Sequence, residues 1–249
     1  MHLTNSIAKK LKMVPVVNEV AAGIASEYFN EISTKHKSVV LVTAGPGLTN
    51  LITAISGAYL ESRELLILAG QVKTTDLKNK KQRQNGIQEI DGISLVISIT
   101  KKAKCIKVPV DQNEFLKLAY QSKNGKKGPV VLEIPIDIQA REIKSEIKKT
   151  QKLIFSNHNK LNTIPSSVTS LIEMAERPIL LLGAGVSRQY AASVYSSLKK
   201  LKMPIMVTWN AADRYPAVEK NYFGRPNTWG MRYSNVILQQ SDLLIAVGS

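Results

Sequence analysis

The run LLILA at 65–69 constrains the fold more than any other stretch. A short run apolar at every position suits a strand buried on both faces, as in a parallel sheet with helices on either side. Similar strand-like runs stand at 38–43, 103–108 and 129–134. Between them lie segments of helical period. Val17, Val20, Ala21, Ile24, Ala25 and Tyr28 predict one apolar helix face over 14–32, with Asn18 as its cap. Leu48, Leu51, Ile52, Ile55 and Tyr59 predict another, and 111–122 reads as a third helix. Strands alternating with helices imply an α/β fold: open, mostly parallel sheets with helices on both faces.

A second α/β unit follows a polar, Lys/Glu-rich stretch. Its expected elements are helices at 165–176 and 191–201 and strands at 177–182, 204–208 and 243–247. The expected division is a first domain over 1–140, a connector over 141–162 and a second domain over 163–249. Both units read as truncated, because the first lacks an opening strand and the second stops at the end of one.

Composition removes several function classes. The net charge of +15 invites a nucleic-acid reading, but the lysines are spread along the chain without aromatic interleaving or a binding motif. A solvated basic surface is the expectation, with no nucleic-acid partner. No apolar run is long enough to span a bilayer and no secretory signal opens the chain, so no membrane role and a cytoplasmic location are expected. Cys105, the single cysteine, reads as a small buried strand residue rather than a nucleophile. His2, His36 and His158 are isolated, and no metal-ligand spacing occurs.

Polar residues with possible chemistry gather at strand ends. Gly45-Pro46-Gly47 sits between a strand and a helix, where a backbone can approach a ligand closely, or where it is only a turn. Glu19 stands among Val16, Val17, Val20, Ala21 and Ala22, either as a buried carboxylate that needs a partner or as an exposed helix-start glutamate. Gln71 follows the 65–69 strand, and Gln88 and Glu89 follow a basic loop; ligands of open α/β sheets sit at such carboxyl ends. Gly183-Ala184-Gly185 resembles a dinucleotide fingerprint but has Arg188 in place of a third glycine, so helix–strand packing is the competing reading.

Taken in order, these stretches resemble acetolactate synthase-like thiamine diphosphate enzymes. The likeness is carried by Asn18-Glu19, VTAGPGLTN at 42–50, AGQV at 69–72, IQE at 87–89, ITK at 99–101 and GPVVLEIP at 128–135, and continues through RPILLLGAG at 177–185 and SDLLIAVG at 241–248. The resemblance implies a 2-keto acid decarboxylase or carboligase with pyruvate as donor and an enamine intermediate. It implies that Glu19, in an apolar pocket with a raised pKa, shares a proton with the cofactor's aminopyrimidine. Gly45, Pro46, Gly47 and Asn50 would lie against the cofactor, Gln88 near the reacting carbon, and Gln71 and Lys101 near the substrate.

The family's Mg²⁺ and diphosphate ligands lie on a third domain that this sequence does not contain, which implies a fragment of a longer homodimeric or homotetrameric parent, inactive alone. FAD in the second domain is a further implication. Asn18 replaces a family histidine, and Ile87 an aromatic. The alternative is a non-catalytic binding or assembly module of the same fold.

Overall fold

The computed structural model describes residues 2–79, 81–142 and 163–249. These fall into two compact units, one on each side of the 143–162 stretch. Most of the expected connector therefore lies outside the described residues.

The first unit contains α1 (His2–Ala8), α2 (Glu19–Ile32), β1 (Val40–Val42), α3 (Pro46–Asn50), α4 (Ile52–Leu60), β2 (Leu65–Gln71), α5 (Gly92–Val96), β3 (Lys102–Cys105), α6 (Gln112–Tyr120), β4 (Pro129–Pro135) and α7 (Ile136–Gln139). Its sheet has the order β1-β2-β4-β3, all parallel. Every residue of β4 is buried, as a central strand covered on both sides requires.

Two cores flank this sheet. Leu65, Ile67 and Ala69 of β2 and Val131 of β4 face Leu51, Ala54, Ile55 and Ala58 of the α3–α4 region. Leu68, Val130, Leu132 and Ile134 point the other way, toward Leu3 and Ile7 of α1, Phe115 and Leu118 of α6 and Ile138 of α7. The alternation follows from the two-residue period of a strand.

α2 departs from its expected face and bounds. It begins at Glu19 rather than near residue 14, with the Asn18 side chain accepting the Ala21 N–H at 3.2 Å. Its buried residues are Gly23, Ser26, Glu27 and Asn30, whereas Ile24 and Tyr28 are 41% and 47% exposed. The reason is specific packing. Gly23 lies against Ala54 and Leu51, where a Cβ would overlap the alanine, and Asn30 donates to the carbonyls of Ser38 and Glu64 while accepting the Ser38 N–H.

The second unit contains α8 (Ser166–Met174), β5 (Pro178–Leu182), α9 (Arg188–Leu198), β6 (Ile205–Val207), α10 (Arg232–Gln239) and β7 (Leu243–Val247). Its parallel sheet has the order β6-β5-β7. Leu180, Leu182, Ile205 and Val207 share a core with Ala191 of α9 and with Ala211 and Tyr215. Ser187 caps α9 through the Tyr190 N–H, which starts that helix earlier than its apolar period indicated. The sequence reading missed α10. No helix among the described residues is long and apolar enough to cross a membrane.

Candidate functional site

The site assembles around α3, which is only five residues long, about 7 Å. Gly45 caps its start with φ +62°, a left-handed backbone that favours glycine. A Cβ at Gly45 would overlap the carbonyl oxygen of Gln88. The turn therefore brings in a second loop, the one that carries Gln88. At the other end of α3, the Asn50 side-chain amide donates to Glu19 Oε2 at 3.1 Å. One short helix thus links Glu19 and Asn50 at its end with Gly45 and Gln88 at its start.

Gln88 is exposed and has a left-handed φ of 59°, uncommon for a side chain of its size. Its neighbours hold it. The Gln71 amide donates to the Ile90 carbonyl at 3.2 Å, and Glu89 accepts N–H groups from Lys78, Asn85 and Gly86. Gln71 is 5% exposed, and its amide oxygen accepts the Val72 N–H at 2.9 Å. It also hydrogen-bonds the Glu133 carboxyl. These bonds make Gln71 a support beneath the Gln88 loop, in contrast to the expected substrate contact.

The electrostatics correct one expectation directly. Glu19 is not in an apolar pocket; it is partly exposed at the first turn of α2, beyond the uncovered Val16 and Val17. The hydrogen bond from Asn50, followed by that from its own backbone N–H, holds its carboxyl below the ordinary value. The carboxyls with raised pKa lie elsewhere. Burial pushes Glu133 up to about 7 despite the Gln71 hydrogen bond, and burial pushes Glu27 up to about 7 despite Arg63. Cys105 is pushed up to about 11 by burial and then by Glu133, so it is no ready thiolate.

Two further placements differ from the sequence reading. Lys101 stands at the amino end of β3, where its N–H donates to the Pro129 carbonyl, while Gln71 pairs with Pro135 at the carboxyl end of the same sheet. Its ammonium donates to the Asn124 carbonyl. A strand length, roughly 20 Å, separates the two ends, so Lys101 does not join the other residues. Gly47 does not leave an open approach either, since a Cβ there would lie 2.6 Å from Thr43 Oγ1. Pro46, between the glycines, opens α3 with the fixed φ that suits a first helical position.

The residues present can be weighed against each expected group. A partly exposed carboxylate steadied by an amide suits hydrogen bonds to an aminopyrimidine, and Glu19 with Asn50 supplies it. Among the described residues no three His, Cys, Asp or Glu side chains gather as a metal site. The second unit's glycine turn is filled by its own chain. The Gly185 N–H donates to the Gly248 carbonyl at 2.8 Å, a Cβ on Gly183 would overlap that carbonyl, and the buried Arg214 donates to the Val186 carbonyl at 2.6 Å. The turn is thus packed on the backbone of Gly248.

The residues that sequence reasoning passed over are Glu89 as a loop anchor and Glu133 as a buried carboxylate. A glutamate at an interior position of an otherwise apolar strand was the available signal for Glu133.

Comparison with known proteins finds two matching domains. Residues 1–95 match the N-terminal thiamine pyrophosphate (TPP) binding domain of thiamine pyrophosphate enzymes, and residues 166–249 match the central domain of the same enzymes. The chain is 31% identical over 238 residues to the probable acetolactate synthase large subunit of Methanocaldococcus jannaschii, covering 93% of this chain and 39% of that protein. It is 28% identical over 247 residues to the acetolactate synthase isozyme 1 large subunit of Escherichia coli, covering 98% and 42%. For the Corynebacterium glutamicum large subunit the identity is 29% over 246 residues, covering 96% and 38%. The chain thus spans about two fifths of the length of these relatives. With two successive domains of one family in order along the sequence, the chain belongs to the acetolactate synthase-like thiamine pyrophosphate enzymes.

Proposed function

We propose that this chain supplies the pyrimidine side of a thiamine diphosphate site in a 2-keto acid decarboxylase or carboligase, with pyruvate as donor. The observation that carries the reading is the joining of Glu19 and Asn50 to Gly45 and Gln88 through α3. In this reading residues 1–140 form the pyrimidine-binding domain, 141–162 a connector and 163–249 a central domain. The Mg²⁺-bound diphosphate end would be held by residues outside this chain, in a cytoplasmic dimer or tetramer.

When bound, thiamine diphosphate supplies an electron sink beside a carbonyl. The protein's part is to hold protons and orient groups. Glu19 receives and returns a proton at a ring nitrogen of the aminopyrimidine. Asn50 fixes one carboxylate oxygen, which leaves the other to face the ligand. The Glu19 pKa, now held down by Asn50, has to rise as a ligand displaces water from the carboxylate. Gln88 offers both a donor and an acceptor from its exposed amide, suited to a keto acid's carboxylate or carbonyl.

The test is a titration of the isotope-labelled chain with 4-amino-5-aminomethyl-2-methylpyrimidine, followed by NMR. The Asn50 side-chain amide and the Gly45 amide are expected to shift with one midpoint, and Glu19→Gln to abolish the shift. Shifts that Glu19→Gln leaves unchanged, or no shift at these residues, would contradict the reading.

A further inference from the structure

One carboxylate of the first unit is committed almost wholly to backbone. Glu89 is 6% exposed, and its two oxygens take three main-chain N–H groups: Lys78 on Oε1 at 2.5 Å, and Asn85 and Gly86 on Oε2 at 2.8 and 3.1 Å. These donors come from both ends of a basic stretch, so the carboxylate ties its two ends together. Burial works against the charged form, but the three N–H groups and the Lys78 ammonium outweigh it, and the carboxyl stays below its ordinary value. A buried carboxylate without such donors would neutralise instead of staying ionised. Ionisation of Glu89 and closure of the stretch are therefore coupled.

The tie lies beside the residue of interest. Gln88 directly precedes Glu89 and is held left-handed; Ile90 directly follows and is gripped by Gln71. On the far side, Gly45 makes room for the Gln88 carbonyl. Gly86 packs on Val72, where a Cβ would lie 2.6 Å from Cγ1. The backbone at Gln88 is fixed from several directions while its side chain reaches solvent.

We propose that Glu89 is the positioning residue for Gln88: by binding the Lys78, Asn85 and Gly86 amides it sets the backbone from which the Gln88 amide is presented. What Gln88 meets rests on the proposed function; how it is held does not. Glu89 touches no substrate and acts through the loop alone.

Two NMR measurements on the isotope-labelled chain test this. In the unaltered protein, the amide shifts of Lys78, Asn85 and Gly86 and the side-chain amide of Gln88 are expected to titrate together, with a midpoint below the ordinary glutamate value. In Glu89→Gln, hydrogen exchange at those three backbone amides should accelerate by at least about tenfold, while the β2 and β4 amides stay within about twofold. The Gln88 side-chain amide should move toward its free position. The proposal is overturned if Gln88 does not follow the titration of the other three, or if their protection survives in Glu89→Gln. Should that variant loosen β2 and β4 as well, the titration of the unaltered protein decides. Neither measurement contains a pyrimidine ligand, so a failure of the cofactor reading leaves both outcomes interpretable.

Discussion

The glycine turn at Gly45 and the one at Gly183–Gly185 follow parallel strands in the same way, yet they are filled differently. At Gly45 the space that a side chain would take holds the Gln88 carbonyl, and Gln88 projects an exposed amide. At Gly183 and Gly185 the space holds the backbone of Gly248, which follows the neighbouring strand β7. One turn docks a loop that carries polar groups to the surface; the other latches two strands. A strand–glycine–helix signature thus shows that something approaches the backbone closely, and only the tertiary partner tells whether it serves a ligand.

The largest effects should come from adding a methyl at each turn. Gly45→Ala combines a left-handed φ with overlap on Gln88, and should destabilise the first unit by on the order of 2–4 kcal/mol. Gly183→Ala should cost the second unit a similar amount. The comparison predicts a split in binding: Gly45→Ala perturbs the Gln88 and Asn50 resonances and weakens pyrimidine binding, whereas Gly183→Ala leaves both unchanged. Thermal unfolding followed by NMR reads both units at once, and a Gly183→Ala variant with altered pyrimidine binding would erase the distinction.

The units should also differ in pH response. Glu27 and Glu133 have folded pKa values of about 7, above the ordinary 4.5, so the folded first unit binds more protons than its unfolded chain between those values. Its stability should therefore fall as pH rises from about 4.5 to about 7, by on the order of 1–3 kcal/mol. In the second unit the shifted carboxyls, Asp213, Glu219 and Asp242, are all held below their ordinary values, as Glu19 and Glu89 are in the first, and that contribution is lost in both only as pH falls through the acid range; the loss between about 4.5 and 7 belongs to the first unit. Denaturant unfolding of each unit against pH checks this, and Glu133→Gln should flatten part of the first unit's slope.

The smallest effect should come from Lys101→Met. Its ammonium serves the Asn124 carbonyl at the amino end of the sheet, so the variant should change stability by no more than about 1 kcal/mol. Pyrimidine binding should not change at all. A loss of binding would return Lys101 to the site and contradict its placement.

These contrasts mark what the sequence could reveal. The parallel sheet was legible because β2 and β4 are apolar at nearly every position, a pattern that few other structures satisfy. Asn18 as a cap and Gly45 as a special turn were legible because both are local. The buried face of α2 was not, because it is built from Gly23, Ser26, Glu27 and Asn30, whose partners at Leu51, Ala54, Arg63, Ser38 and Glu64 lie elsewhere in the chain. In the site, α3 links Glu19 and Asn50 with Gly45 and Gln88. Gln71 and Lys101 serve the backbone carbonyls of Ile90 and Asn124, and a side chain's type does not show which backbone group already holds it.

The central claim is that this chain carries only the pyrimidine side of the cofactor site, and calorimetric titration with thiamine diphosphate in the presence and absence of Mg²⁺ tests it most directly. Most of the cofactor's charge lies on its diphosphate, and a carboxylate–pyrimidine hydrogen bond with little apolar contact offsets only part of the entropy lost on immobilising a ligand. The account predicts binding no tighter than about millimolar, unaffected by Mg²⁺ and abolished by Glu19→Gln. Micromolar, Mg²⁺-dependent binding that survives Glu19→Gln would contradict it.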